Sequence, residues 1–353
     1  MKVLSVVGAR PQFVKAFPVS EALKADHEEV LVHTGQHYDE QLSDVFFREL
    51  AVRTPSYNLG VGSGTHAAQT ASVMRRLDPV VDDEDPDVLL LYGDTNSTLG
   101  GALVGAKRDL AIAHVEAGLR SDNRDMPEEV NRVVTDHVSD LLFAPTREAV
   151  VNLEAEGLAG RAHRTGDVMY DAIRWARDVA RSETDVRGNL GLAREEYVLA
   201  TVHRPRNADD PERLASILDG LAAAPWPVVL PVHPRTAEKL DAFGMRDRAE
   251  RELGLTDPLG YLEFVALLAD ARAVATDSGG VQKEAFFLDV PCVTLREETE
   301  WVETVTSGWN RLVGADADAI ADTLANSSRP DEKPQPYGDG NAARRIADLV
   351  GRT

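Results

Sequence analysis

Two short stretches hold the residue types that proton chemistry requires. In His114-Val-Glu-Ala-Gly-Leu-Arg120, Glu116 ends an apolar run from Leu110 to Val115. In Pro127-Glu-Glu-Val-Asn-Arg132, Glu128 falls in the first turn of a helix that begins at Pro127. Asp94 follows a third apolar run, Val88 to Tyr92, with only Gly93 between. An open parallel sheet binds its ligands beyond the carboxyl ends of its strands, so acids at strand ends stand where reacting groups belong. A single such acid would be an ordinary solvated turn residue. Three at comparable strand or helix ends point to proton transfer.

A second constellation is built for an anion. In Thr276-Asp-Ser-Gly-Gly-Val-Gln-Lys-Glu-Ala285 a strand enters two glycines and a helix leaves. Backbone N–H groups and the positive end of the helix then converge on one point with no Cβ in the way, which suits a phosphate or diphosphate. Glu284, about one turn into the helix, can accept hydrogen bonds from a ribose diol. The plainer alternative is a strand-to-helix turn with Ser278 as its cap. His203-Arg204 follows the run Tyr197 to Val202, and Arg10 follows the first strand with Lys15 one turn beyond. Cations gathered at strand ends of an acidic chain mark a place for an anion.

The elements that must position these groups alternate throughout. Apolar runs at Val3 to Val7, Glu29 to His33, Val88 to Tyr92 and Leu110 to Val115 read as strands. Val130, Val133, Val134, His137, Val138 and Leu141 recur at helical spacing. A second series places strands at Tyr197 to Val202, Val228 to Val232 and Ala271 to Thr276, and helices at Pro211 to Ala224, with Asp210 as N-cap, and at Leu259 to Ala269. Such alternation is the mark of α/β architecture with parallel sheets. Residues 1–168 are expected to form one doubly wound domain and residues 169–340 another, with a last helix in 341–353 free to pack back on the first.

Composition sets bounds. The 353 residues suffice for two cores, and a formal charge of −21, from 59 acids against 38 Lys and Arg, argues against nucleic-acid and anionic-membrane partners. Seven of those 38 cations are lysine, and an acidic, lysine-poor surface suits a salt-rich interior where screening removes the self-repulsion. One cysteine, Cys292, cannot form an internal disulfide and reads as core. The apolar stretch Val3 to Val7 is too short for a secretory leader, and no run approaches the roughly 20 residues that span a bilayer. The protein is expected in the cytoplasm. Gly60-Val-Gly-Ser-Gly64 reads as a loop rather than a dinucleotide fingerprint, and Gly8-Ala-Arg-Pro11 lacks the three glycines, so no nicotinamide cofactor is expected. His33, His37 and His114 lack metal-ligand spacing, and no metal is expected.

Taken together, Gly8-Ala-Arg-Pro-Gln-Phe-Val-Lys15, Thr34-Gly-Gln-His37, Tyr92-Gly-Asp-Thr95, His114 to Arg120, Pro127 to Arg132, His203-Arg204, Pro231-Val-His233 and Thr276 to Ala285 resemble, in order and spacing, the non-hydrolysing UDP-N-acetylglucosamine 2-epimerases. The similarity runs from Met1 to about residue 314, and Pro336-Tyr-Gly-Asp-Gly340 matches near the end. The resemblance implies a homodimer of glycosyltransferase-B architecture, two Rossmann-like domains facing a cleft that holds a UDP-sugar, with no cofactor. By position it places Arg10, His203, Ser278, Gly279 and Gly280 around the diphosphate, Glu284 at the ribose, Phe264 at the uracil and Arg311 near the nucleotide. Lys15, Asp94, Glu116, Glu128 and His203 match the catalytic set. Gln36, His37, Arg132 and His233 match positions at the sugar or at a second, activating site, although Tyr38 and Asp39 depart from it.

The implied reaction is an inversion at C2 by elimination of UDP, a 2-acetamidoglucal intermediate and re-addition. Thr299-Glu-Trp-Val-Glu303 stands where the acetylglucosamine enzymes commonly carry Arg-Pro after Thr-Glu. That variant resembles the branch acting on UDP-2,3-diacetamido-2,3-dideoxyglucuronate. A glycosyltransferase of the same fold and a non-catalytic nucleotide-sugar sensor are the readings from other classes.

Overall fold

The computed structural model describes residues 1–36 and 54–352, with every side chain in those ranges except that of Arg10. His37 lies outside the described residues. The chain divides into two compact units, Met1–Ala172 with Gln335–Thr353, and Ile173–Pro334.

The first unit is wound around a parallel sheet of seven strands in the order β3-β2-β1-β4-β5-β6-β7. The strands are β1 (Lys2–Val7), β2 (Glu28–His33), β3 (Tyr57–Asn58), β4 (Val88–Tyr92), β5 (Ala111–Val115), β6 (Leu141–Ala144) and β7 (Ala162–Arg164). Between them run α1 (Arg10–Leu23), α2 (His66–Glu84), α3 (Asn96–Gly105), α4 (Pro127–Val138) and α5 (Arg147–Ala155), and α6 (Val168–Glu183) leads into the second unit. All five residues of β4 are fully buried because helices cover both faces, which is why it reads as an unbroken apolar run. The order reverses between β1 and β4, so their carboxyl ends splay apart there. Lys15 on α1 and Asp94 after β4 stand at this switch point, and Glu116 follows β5 next to it.

Three local readings need correction. Leu141 does not continue α4: Ser139 adopts an extended conformation, its hydroxyl donates back to Thr135 O at 2.7 Å, and Leu141 starts β6. The glycine-rich segment at 60–64 does connect a strand to a helix, since the two-residue β3 precedes it and α2 follows. Thr65, not a glycine, caps that helix by accepting from Ala68 N. In the second unit, Gly260 is the N-cap of a helix that begins at Tyr261 rather than Leu259.

The second unit holds a six-stranded parallel sheet in the order β10-β9-β8-β11-β12-β13. Its strands are β8 (Val198–Thr201), β9 (Val228–Pro231), β10 (Gly254–Thr256), β11 (Ala273–Thr276), β12 (Cys292–Thr294) and β13 (Asn310–Leu312). The helices are α7 (Val186–Asn189), α8 (Pro205–Ala208), α9 (Pro211–Ala222), α10 (Pro234–Ala242), α11 (Arg246–Glu252), α12 (Tyr261–Asp270), α13 (Gly279–Phe287), α14 (Val302–Thr306) and α15 (Ala317–Ala325). Asp210 caps α9, accepting from Glu212 N and Arg213 N. This sheet reverses between β8 and β11, and His203 and the 278–280 turn follow those two strands. Cys292 is buried in the core, and burial pushes its thiol up to about 12, consistent with an inert side chain.

From Gln335 the chain returns to the first unit. Tyr337 O accepts from Asp167 N at 2.9 Å, and α16 (Ala342–Val350) packs on α1. Asp171 caps α16, accepting from Ala342 N and Ala343 N at 3.1 Å each. Burial pushes its pKa up to about 6 in spite of those two bonds. The folded state therefore holds a proton that the unfolded chain, with its aspartate near about 3.9, has already released. The sign follows: this group makes stability fall as pH rises from about 4 to about 6. Replacing it with asparagine is expected to remove that slope when urea midpoints are compared across the window, and an unchanged difference from the parent protein at every pH would refute the assignment.

Candidate active site

In the first unit the site grows from three turns. Gln12 fixes the turn after β1: its carboxamide oxygen accepts from Gly8 N at 2.7 Å and Ala9 N at 3.0 Å, and its amide donates to Tyr92 O at 2.6 Å, joining the ends of β1 and β4. A Cβ on Gly8 would collide with the hydroxyls of Ser97 and Thr34, so only glycine permits this approach. Glu116 then leaves β5 with φ of +72°, a left-handed conformation that non-glycine residues adopt at a cost of roughly 1–3 kcal/mol. Strain of that kind persists where the surroundings impose it, and here the N–H groups of Glu116 and Ala117 both donate to Phe143 O.

The result is a set of interlocked charges. Lys15 and Glu116 form an ion pair in which both side chains are largely buried. Burial opposes the Lys15 ammonium, but Glu116, with Asp94 and Asp167, outweighs it and raises its pKa. Asp94 pairs with Arg132 of α4. Burial raises the Asp94 pKa; Arg132 and Lys15 oppose that, while Glu116 and Glu128 add to it. Glu128, exposed in the first turn of α4, is thus near enough for its charge to be felt at Asp94. Asn131 Nδ2 donates to Asp94 O at 2.9 Å and holds α4 against the β4 turn. Beneath them, the fully buried His114 donates from Nε2 to Gly93 O at 2.7 Å and meets Asp136 Oδ1 through Nδ1 at 2.7 Å. Two carboxylates, each beside a cation and with the charge of Glu116 felt at Asp94, are an arrangement that can move protons at a low-solvent site.

In the second unit the residues expected to hold an anion gather around the turns after β8 and β11. The buried carboxylate of Asp277 accepts from His203 N at 3.1 Å, Arg204 N at 3.0 Å and Asn207 Nδ2 at 3.2 Å, binding the loop after β8 to the turn after β11. His203 Nδ1 lies 3.5 Å from Asp277, and its ring is 5.3 Å from that of His233. Burial lowers the His203 pKa, His233 and Arg204 act in the same direction, and Asp277 opposes them, so the neutral imidazole is favoured near pH 7. Ser278 is the N-cap residue of α13 but makes no side-chain cap bond, so its hydroxyl is not spent there. Gly280, in the first turn of α13, is exposed, whereas Gly279 is buried. On the same helix Glu284 lies 3.5 Å from the hydroxyl of Tyr261, and Phe264 is one turn beyond Tyr261 on α12.

Not every expected residue joins these groups. Arg311 stands exposed on the edge strand β13 and lines a small hollow with Pro291, Cys292, Thr323 and Asn326, which does not include the glycine turn. Gln36 is buried, and its carboxamide oxygen accepts from Ser97 N and Ser97 Oγ, a structural use. His233 Nδ1 accepts from Arg235 N as the cap of α10. Gln12, Asn131 and Arg120 lie within the matched stretches, but residue type alone assigned no role to them or to Asp136; in the structure they brace the turns that carry Asp94 and Glu116 through backbone atoms and buried charge. Among the described residues no group of three or more His, Cys, Asp or Glu is arranged to hold a metal ion, and no helix is long and apolar enough to cross a membrane.

Residues 21–351 match the family model described as UDP-N-acetylglucosamine 2-epimerase. The chain is 46% identical over 363 residues to the UDP-2,3-diacetamido-2,3-dideoxy-D-glucuronate 2-epimerase of Pseudomonas aeruginosa, covering 100% of both chains. It is 45% identical over 354 residues to a UDP-N-acetylglucosamine 2-epimerase homolog of Methanococcus maripaludis, covering 99% of each. The solved structure of the UDP-GlcNAc 2-epimerase of Methanocaldococcus jannaschii superposes with a TM-score of 0.91 at 38% identity over 100% of both chains. A structure of that protein in complex with UDP-GlcNAc and UDP gives a TM-score of 0.79 at 39% identity, again over 100% of both.

Proposed function

This chain belongs to the UDP-N-acetylglucosamine 2-epimerase family, and on that footing we propose that it interconverts UDP-N-acetylglucosamine and UDP-N-acetylmannosamine by inverting C2. The observation that carries the reading is the cluster at the carboxyl ends of β4 and β5, where Asp94, Glu116 and Glu128 lie with Lys15 and Arg132.

The chemistry explains why such a cluster is needed. The C2 proton of a 2-acetamido sugar has no neighbouring carbonyl to acidify it. Its removal becomes feasible when the anomeric C–O bond breaks and positive charge develops at the adjacent carbon. UDP departs with the bonding pair and a carboxylate takes the C2 proton, giving a glycal. UDP then adds back while a proton is delivered to the opposite face of C2. Asp94, Glu116 and Glu128 are the proton carriers, and Lys15 holds Glu116 in place. The second unit stabilises the leaving diphosphate with His203, Ser278, Gly279 and Gly280, as a preorganised anion site does. Glu284 takes the ribose and Phe264 the uracil.

A second reading of the sugar, the 2,3-diacetamido-uronate, is favoured by Trp301-Val302 and by the Pseudomonas relative's 46% identity. Further parts of the proposal are a homodimer, a cytoplasmic location and an acidic surface suited to high salt. One experiment tests the function: incubation with UDP-N-acetylglucosamine in heavy water at low and at molar salt, with C2 followed by NMR. Deuterium at C2 with a gluco/manno mixture is expected. Transfer only when an acceptor is added would replace this reading with a glycosyltransferase, and exchange confined to the diacetamido-uronate would select the second sugar.

A further inference from the structure

The segment between β12 and α14 is fastened to the first turn of α13 by three separate contacts. Trp301 Nε1 donates to Gly279 O at 2.7 Å, and Thr299 Oγ1 donates to Gln282 Oε1 at 2.6 Å. The third contact is the carboxylate of Glu300, which lies so close over Gly279 that a Cβ built there would collide with Glu300 Oε1. The other oxygen, Glu300 Oε2, accepts from Arg296 Nη1 at 3.1 Å. The Arg296 side chain is 16% exposed and that of Glu300 47%, so the guanidinium is packed in place while the carboxylate reaches it from the solvent side.

A carboxylate resting on the opening turn of a helix, with an arginine N–H donating to its outer oxygen, reproduces what a bound phosphate would meet: a positive helix end and a guanidinium. Yet an acid in that position would repel a diphosphate arriving at the same turn. Glu300 is half exposed, so it can swing out, and its departure leaves Arg296 one carboxylate's width from Gly279 with donors to satisfy. We infer that Arg296 is a further diphosphate-binding residue, and that Glu300 is an internal stand-in for the phosphate which the nucleotide displaces. This rests on the reading of 278–280 as the diphosphate site. It adds a cation to a unit where Arg311 stands apart from the glycine turn. It also makes binding an exchange, in which Arg296 passes from one anion to another and the turn is never left without a counter-charge.

The test is calorimetric titration of UDP into the parent protein, Arg296→Gln, Glu300→Gln and the double variant, with thermal melting to confirm that each is folded and Arg296→Lys as a charge-preserving control. Removing the competing acid in Glu300→Gln is expected to tighten UDP binding several-fold. Arg296→Gln is expected to weaken it about tenfold, the scale of one charge-assisted hydrogen bond, and Arg296→Lys to weaken it less. The deciding comparison is the double variant against Glu300→Gln. A loss of about tenfold there supports direct contact between Arg296 and the phosphate. Equal affinities would show that Arg296 only tethers Glu300, and the inference falls. A parent protein that does not bind UDP at all would overturn the nucleotide reading itself, a result distinct from either.

Discussion

Glu116→Gln is expected to lower the rate of C2 inversion by about 10²-fold or more, the scale of a lost proton-transfer group, with UDP affinity unchanged. The amide keeps the size of the side chain and can still accept from Lys15, but it cannot take a proton from carbon. Geometry makes this the most sensitive of the three acids. Glu116 is held at φ +72° by its strand end, with its carboxylate paired to Lys15 and its charge felt at Asp94. Neutralising it also withdraws the charge that does most to keep the buried Lys15 ammonium protonated, so the lysine pKa should fall. Steady-state rates, UDP titration and a melting curve on one preparation separate the possibilities. A variant that melts early has lost the ion pair's structural support, whereas one that melts normally and binds UDP but does not epimerise has lost chemistry. Parent-like turnover in Glu116→Gln, Asp94→Asn and Glu128→Gln alike would remove all three acids from the mechanism.

How much of this is legible in the residues depends on what each one answers to. The central strands are largely apolar because both faces are covered, so β1, β4, β5 and β11 stand out as runs even though β1 carries Ser5 and β5 carries His114. The edge strands β3, β7, β10 and β13 have two or three residues each and carry no period to detect. Leu141 reads as helix because it continues the spacing of Val134 and Val138, and only the back-bonded Ser139 reveals the stop. Asp94 and Glu116 are visible as acids after apolar runs. What holds them is not, since Gln12, Asn131 and His114 work through carbonyl and N–H groups brought close by the fold, and a carbonyl has no sequence signature. Left-handed Glu116 is still less visible, because nothing in a glutamate announces a conformation that glycine usually takes. Arg311, expected near the nucleotide from motif order, is exposed on the edge strand β13 beside a hollow lined also by Pro291, Thr323 and Asn326.

Asp136 is expected to contribute strongly to the stability of the first unit. Its carboxylate is fully buried and both oxygens are committed, Oδ1 to His114 Nδ1 at 2.7 Å, and Oδ2 to Gly118 N at 3.0 Å and Arg120 at 2.8 Å. Burial alone would raise its pKa, but His114 and Arg120 prevail and hold it below the ordinary 3.8. Asparagine has one oxygen where the carboxylate has two, so at least one of these buried donors faces an N–H, and Arg120 is left with the partly exposed Glu156 as its counter-ion. Breaking one side of a buried pair costs about 3–5 kcal/mol, a large share of the roughly 5–15 kcal/mol that holds a domain folded. Asp136→Asn should therefore unfold at markedly lower denaturant concentration. The pH dependence follows from the same shift: a depressed carboxylate contributes stability above its unfolded pKa and loses it as pH falls through the folded one. The gap between parent and variant should thus be full at pH 7 and narrow below about pH 4. Because His114 also holds Gly93 O, the turn that presents Asp94 should loosen, slowing inversion even where the variant remains folded. Equal denaturation midpoints at neutral pH would show that His114 and Arg120 find other partners, and that the buried network under the site is dispensable.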